Sequence, residues 1–455
     1  MTKTKIVRDL THGSITRVLL TFALPTMMSN LLQTAYNMID MMVVGRFVGS
    51  TGLSSVSIGG DIIHLYMFLG MGFATAGQII VSQYVGAGRR DELNEVIGTQ
   101  FTFVFTLAAC LTVISLLFAP GMLSILHAPE ASYAGAKAYT LCCSCGLIFI
   151  FGYNSVAAIL RGMGDSRHPM IFIGLAAIIN TVLDLLFIAV FGMGAFGAAL
   201  ATVIAQSVSF LLCMFYLYKN KEQFGFDFRL KSFRMSKRIL PTVIRLGVPI
   251  ALQSSAGSIS ALFVSSFINT YGVAASAITG IGNKLNSIAL IVCNALNTSG
   301  AAIIGQNFGA GLLERVRQTF RRVFVFDLIF VSLLSIGILS FPEAVFGLFN
   351  KSPDVLALAP VYAKVAAVSF MGFAFRSPSL ALVNGLGQSK MNFLMGVVEG
   401  FVLRIGLTYL LGVVLKLGLP GFWYGSVIAS YGYGLVMFPY YFSGVWEKEK
   451  TVVVG

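Results

Sequence analysis

The stretch Gln83-Tyr84-Val85-Gly86-Ala87-Gly88 returns 223 positions later as Gln306-Asn307-Phe308-Gly309-Ala310-Gly311. Gly162-Met163-Gly164-Asp165-Ser166-Arg167 returns at the same shift as Gly385-Leu386-Gly387-Gln388-Ser389-Lys390. Ile58-Gly59 matches Ile281-Gly282 at 223, while Pro25 matches Pro249 and Val203-Ile204-Ala205 matches Val427-Ile428-Ala429 at 224. One glycine match carries no weight. A near-constant offset across several loops and helices marks an internal duplication.

Composition says what is duplicated. Of 455 residues, 56% are hydrophobic and 11% charged, against roughly a quarter charged in soluble domains. Mean hydropathy is +0.84. So few charges cannot cover a soluble surface, and disorder needs the opposite composition. Apolar segments recur at 16–44, 52–84, 94–119, 132–160, 168–191, 196–218, 239–270, 274–304, 317–341, 355–385, 391–415 and 420–445. Most exceed the ~20 residues that a helix needs to cross the hydrocarbon core. The expected fold is an all-α membrane protein of twelve transmembrane helices in two six-helix lobes. An even number per lobe gives both the same orientation, related by a pseudo-two-fold axis along the membrane normal. The expected division is an N-lobe at 1–218, a polar cytoplasmic linker at 219–238 and a C-lobe at 239–455.

The net charge of +13 would raise nucleic acid as a partner in a soluble protein. Here the bases separate by side. Arg89, Arg90, Arg161, Arg167, Arg321, Arg322, Lys390, Lys448 and the bases of 219–238 fall on one side. Arg46, Lys137, Lys351, Lys364 and Lys416 fall on the other. The richer side is cytoplasmic. This reading places both termini inside a plasma (inner) membrane, with the lipid bilayer rather than nucleic acid as partner, and the chain as a monomer. Residues 1–17 are polar and basic, unlike a cleavable signal. The six cysteines lie in apolar runs and read as small buried hydrophobes.

Polar residues inside apolar segments are costly and usually functional. In the first segment Gln33, Tyr36, Asn37 and Asp40 share one helical face. In the fifth, Asn180 and Asp184 are four apart, as are Thr202 and Gln206 in the sixth. At 1.5 Å per residue, Asp184 lies roughly 24 Å from the inner end of its helix. Asp40 and Thr202 lie near the outer ends of theirs, so all three share the outer half of the N-lobe. Two carboxylates in one low-dielectric pocket cannot both ionise cheaply. Such a site holds a proton, a sodium ion or a cationic drug, but not all at once. Asp40, Asn180, Asp184 and Thr202 are the expected cation- and proton-coupling residues, with Na⁺ at Asp40, Asn180 and Asp184. Gln33, Tyr36, Asn37, Gln206 and Asp61 are the expected lining of the substrate cavity. In the C-lobe, Arg376 lies about 13 Å above the inner end of the tenth segment and Glu399 about 12 Å up the eleventh. Equal depth on sequential antiparallel neighbours predicts a buried ion pair.

The duplication, with Gln-x-x-Gly-Ala-Gly after the second and eighth segments and Gly-x-Gly-x-Ser after the fourth and tenth, resembles the multidrug and toxic compound extrusion (MATE) family over essentially the whole chain. Asp40 and the Asn180–Asp184 pair resemble its bacterial and archaeal branch, which carries the cation site in the N-terminal half. The resemblance implies a V-shaped transporter that exchanges organic cations and xenobiotics for H⁺ or Na⁺ by alternating access, with no cofactor. Some members carry acids in the seventh and tenth helices. Here those helices offer Gln253 and Arg376, so a second-lobe cation site of that type is not expected.

The sequence has no Gly-x4-Gly-Lys-[Ser/Thr] phosphate loop, no Gly-x-Ser-x-Gly elbow and no His/Asp/Glu cluster at metal-enzyme spacing. An enzyme is not expected. The transport alternative is a lipid-linked oligosaccharide flippase of the same superfamily, which calls for a basic central cavity. A channel or receptor is a third class, and it needs no paired acidic exchange site.

Overall fold

The computed structural model describes residues 8–453. The helices relevant here are α1 (Ile15–Phe47), α2 (Gly49–Gly86), α3 (Leu93–Ile125), α4 (Glu130–Cys145), α5 (Leu147–Gly162), α6 (Arg167–Asp184) and α7 (Gly194–Lys219) in the first half. The second half has α8 (Leu240–Asn269), α9 (Val273–Gly309), α10 (Leu313–Ser340), α11 (Ala359–Leu386), α12 (Ser389–Val397), α13 (Gly418–Ile428) and α14 (Gly432–Ser443). Among the described residues ten helices are long and apolar enough to cross a membrane. α4 and α5 make an eleventh span bent by 51°. The bend falls at Gly146, where an added Cβ would meet Val203 Cγ2 at 2.5 Å. The twelfth predicted segment is the continuous helical path of α13, a 3₁₀ turn at Ala429–Tyr431 and α14.

The repeated motifs are helix stops. Gly88 and Gly311 both take φ of +73°, and Gly164 and Gly387 take +89° and +72°. Left-handed backbone of this kind suits glycine, which has no Cβ to clash. Each stop is closed by a bond spanning five residues. Arg89 N–H donates to the Tyr84 carbonyl at 3.1 Å, Leu312 to Asn307 at 2.8 Å, Asp165 to Leu160 at 2.8 Å and Gln388 to Val383 at 3.0 Å. These are Schellman closures, which satisfy carbonyls that the helix end leaves bare.

The chain forms two compact units. Leu24–Ala251 makes the body of the first, joined by Met1–Asp9 and Val452–Gly455; Leu252–Thr451 makes the second, joined by Leu10–Ala23. The unit boundary therefore falls inside α1 beside Pro25 and inside α8 beside Pro249, not in the polar stretch 219–238. That stretch is no free connector. Phe224 and Phe226 are fully buried, and the Phe226 ring meets Phe101 and Phe233 edge-on at 5.7 and 5.0 Å. Asp227 N–H donates to Asn94 Oδ1 at 3.1 Å, Ser236 N–H donates to Thr99 Oγ1 at 3.1 Å and Arg238 pairs with Glu92 at 2.7 Å. The polar composition of 219–238 suggested a linker, but its phenylalanines dock it on the N-terminal part of α3.

Gly98 makes this docking possible, since a Cβ there would lie 2.0 Å from the Ser232 carbonyl oxygen. Gly98→Ala is expected to unseat the segment and destabilise the protein by about 1–3 kcal/mol, the usual cost of overpacking. A lowered midpoint in thermal unfolding of the detergent-purified protein is the expected reading; an unchanged midpoint would show that the docking contributes nothing.

Candidate functional site

Three helices of the first unit bring the predicted residues together. α1 supplies Tyr36 and Asp40, α6 supplies Asn180 and Asp184, and α7 supplies Thr202 and Gln206. Asp40, Asn180, Asp184, Gln206 and Tyr36 are all buried, Asp184 completely. Asn180 Nδ2 donates to Thr202 Oγ1 at 3.4 Å. The Tyr36 hydroxyl is hydrogen-bonded with Gln33 and Gln206 and faces the Asp40 charge. Asp40 is also within electrostatic reach of Asp184 and of Tyr139 and Cys143 on α4. Directly after Asp184 the helix widens into a π turn, Leu185–Val190, a feature frequent at functional sites.

The chemistry of the cluster lies in what it lacks. Asp40 Oδ1, both Asp184 oxygens, Asn180 Oδ1 and Gln206 Oε1 are buried with no hydrogen-bond donor. Buried acceptors are normally satisfied, because leaving one bare costs roughly 1–3 kcal/mol. A surplus of oxygen acceptors carrying two carboxylates is complementary to a proton or to a hard cation such as Na⁺. Among the described residues no group of three or more His, Cys, Asp or Glu is placed to hold a metal, so any cation here rests on two carboxylates and neutral oxygens.

Not every predicted residue joins the cluster. Gln33 reaches it only through Tyr36. Asn37 is exposed although helical spacing puts it beside Asp40, and Asp61 is exposed on α2.

The second-unit prediction needs correction. Glu399 forms its ion pair with Arg404, not with Arg376. Both belong to the π turn Val398–Ile405, whose i→i+5 backbone bonding stacks residues five apart; depth matching assumed straight α-helices. Arg376 sits instead over the Tyr433 ring, 5.2 Å from its centroid. It feels the Glu399 charge only from a distance. Gln253 donates to the Tyr433 hydroxyl at 2.6 Å.

Asp327 on α10 was missed altogether. It is completely buried, with the Ser377 hydroxyl and the Cys293 thiol as its polar neighbours and no basic partner among the described residues. The Ser377 hydroxyl donates to the Cys293 carbonyl at 3.0 Å. Its only sequence signal is an acid inside an apolar run. The repeat shift points to Val104, so a search by symmetry passes over it.

Ten helices long and apolar enough to cross a membrane, among the described residues, make this a polytopic membrane protein. The chain belongs to the MatE family, whose model matches residues 25–186 and again 249–410; the two matches are offset by the 224 residues of the repeat. Among similar proteins is the probable multidrug resistance protein YoeA of Bacillus subtilis, 28% identical over 96% of this chain and 95% of that protein. The probable multidrug resistance protein NorM of Thermotoga maritima is 24% identical over 96% and 94%. A solved outward-facing multidrug resistance MATE transporter of the MOP superfamily matches the fold with a TM-score of 0.90 at 21% identity, covering 99% of this chain and all of that one.

The Glu399–Arg404 assignment has a direct test. Breaking a buried pair from one side costs about 3–5 kcal/mol, because a bare charge remains. Glu399→Gln and Arg404→Gln should each lower the thermal midpoint, and the double variant should recover part of the loss. Arg376→Gln combined with Glu399→Gln should give no such recovery. Recovery with Arg376 rather than Arg404 would restore the original pairing.

Proposed function

We propose that this protein is a secondary active multidrug exporter of the plasma membrane, with both termini cytoplasmic. It exchanges organic cations for H⁺ or Na⁺ by alternating access. The observation that carries this reading is the donor-poor acceptor cluster around Asp40 and Asp184. A proton, a sodium ion or the cationic group of a drug each relieves the same deficit, so binding of one disfavours the others. Mutual exclusion at one site is the requirement for antiport. The names of the relatives, multidrug resistance proteins among them, support export of xenobiotics. In this scheme Asn180 and Thr202 join the two carboxylates in the coupling site, and Gln33, Tyr36, Asn37, Gln206 and Asp61 line the path of the drug.

Asp40→Asn and Asp184→Asn replace an exchangeable carboxylate by an amide of the same shape. Both variants should fold normally and lose coupled transport. In reconstituted vesicles a fluorescent cationic dye should accumulate in response to an imposed pH gradient or an imposed Na⁺ gradient with the wild-type protein, and in neither case with the variants. Wild-type rates in either variant would refute the coupling role. Transport by the wild type without either gradient would point to a channel.

The movement has its own expected signature. Proline within a helix weakens it by removing a backbone bond, and α1 and α8 change unit beside Pro25 and Pro249. Neutralising Asp40 or Asp184 alters how α1 packs and so biases the two access states. A ligand preference of ~5.5 kcal/mol between two states inverts their populations nearly completely, and less suffices for a measurable shift. Spin labels near Ser50 and Val273 should report a distance distribution that changes with pH or Na⁺ in the wild type and far less in Asp40→Asn. An equal response in both proteins would remove Asp40 from the coupling.

A further inference from the structure

The second unit contains a cavity of about 580 Å³, inside the ~300–1,000 Å³ range of sites for drug-sized ligands. Every residue lining it lies between Ser254 and Ser430, so the cavity belongs to that unit alone. Its only charged lining residues are Arg376 and Arg404. The remaining wall mixes neutral polar groups such as Ser258 and Asn286 with the aromatic faces of Phe373 and Trp423.

The nearby acids are engaged elsewhere. Glu399 is committed to Arg404 and Asp327 lies against Cys293 and Ser377; neither lines the cavity. Arg376 stands over the Tyr433 ring, is hydrogen-bonded with the Tyr433 hydroxyl and senses the Glu399 charge, but among the described residues it has no carboxylate within ion-pair distance. Arg404 keeps one unused donor, since its Nε is buried without an acceptor. A guanidinium held in a membrane segment without a counter-ion is costly. Its planar fork of donors matches a carboxylate or phosphate group in a way that no cationic drug can use.

We propose that this cavity binds an organic anion of drug size. The carboxylate or phosphate group sits on Arg376 with the Arg404 guanidinium as the second charge of the wall, while an aromatic or apolar body lies against Phe373 and Trp423. The site is separate from the Asp40 cluster and independent of how that cluster couples. It adds organic acids to the compounds this transporter handles.

Trp423 provides the readout, being one of two tryptophans in the chain and part of the wall. The probes are para-nitrobenzoate, para-nitrophenyl phosphate and the neutral para-nitrobenzamide, each able to quench tryptophan fluorescence. With purified protein in phosphatidylcholine nanodiscs, the two anions should quench saturably and the amide should bind at least about tenfold more weakly. Trp423→Phe should remove most of the signal. Arg376→Gln should weaken the anions by about tenfold or more, and Arg376→Lys, which keeps charge without the fork, should fall between. Discs containing phosphatidylglycerol separate two sources of the anion. A lipid headgroup that occupies the site lowers apparent nitrobenzoate affinity, whereas unchanged affinity assigns the site to soluble acids. Equal binding of amide and benzoate by the wild type overturns the proposal. So does unchanged anion binding in an Arg376→Gln protein of normal thermal stability. If Arg376→Gln does not fold, the wild-type probe series and Arg376→Lys decide.

Discussion

Hydrocarbon offers no partner to a backbone N–H or carbonyl, and everything specialised in this chain answers that constraint. Helix interiors satisfy themselves, so the distinctive residues collect where helices stop, bend or widen. Four stops use a left-handed glycine and the same five-residue closure. Inside α1, Pro25 interrupts the ladder, and the Ser29 hydroxyl turns back onto the Pro25 carbonyl at 3.0 Å, a bond that bends helices. The π turns after Asp184 and around Glu399 do the opposite, adding a residue per turn and turning a carboxylate away from its regular helical direction. What duplication preserved is thus a set of backbone solutions, and side-chain chemistry was free to diverge on top of them.

The repeated glutamine shows how far such a solution extends. Gln306 Oε1 accepts the Leu10 N–H at 3.0 Å, and Gln83 Oε1 accepts the Val452 N–H at 2.7 Å. In each unit the motif satisfies backbone brought in from a chain terminus. Leu10 belongs to the second unit and Val452 to the first. Each unit thus includes a segment from the opposite end of the chain.

Much of this was legible beforehand, for identifiable reasons. The apolar segments match the observed helical spans to within a few residues, because twenty-residue hydrophobic runs leave little choice. The grouping of Asp40, Asn180, Asp184, Thr202 and Gln206 followed from helical spacing plus depth, and α1, α6 and α7 hold them in one cluster. The failures share a cause. Depth arithmetic presumes 1.5 Å per residue and 3.6 residues per turn, and the π turn at Val398–Ile405 violates both, so Glu399 was given the wrong arginine. Symmetry reasoning presumes that chemistry repeats with the scaffold, and Asp327 has no counterpart at Val104. Composition presumes that a basic stretch is a free link, and although Arg229, Lys231, Arg234 and Lys237 are exposed, Phe224 and Phe226 anchor 219–238 to the first unit.

The divergence is most informative in sign. In the first unit the uncompensated buried groups are acceptors: two carboxylates and the amide oxygens beside them. In the second an uncompensated buried carboxylate is present too, at Asp327, but it lies off the cavity, whose charged lining is the two guanidiniums of Arg376 and Arg404, with Glu399 spent on Arg404. A low-dielectric interior multiplies such differences, because a charge that water would screen to ~1 kcal/mol at 4 Å interacts about four times more strongly near a protein surface. Two units with the same helix stops therefore differ in the charge that lines their candidate sites, carboxylates in the first and guanidiniums in the second. If the two sites bind as proposed, a duplicated scaffold that fixes backbone geometry and leaves polarity open gains a second specificity without a second fold, set by the sign of the charge at each site rather than by the helix arrangement.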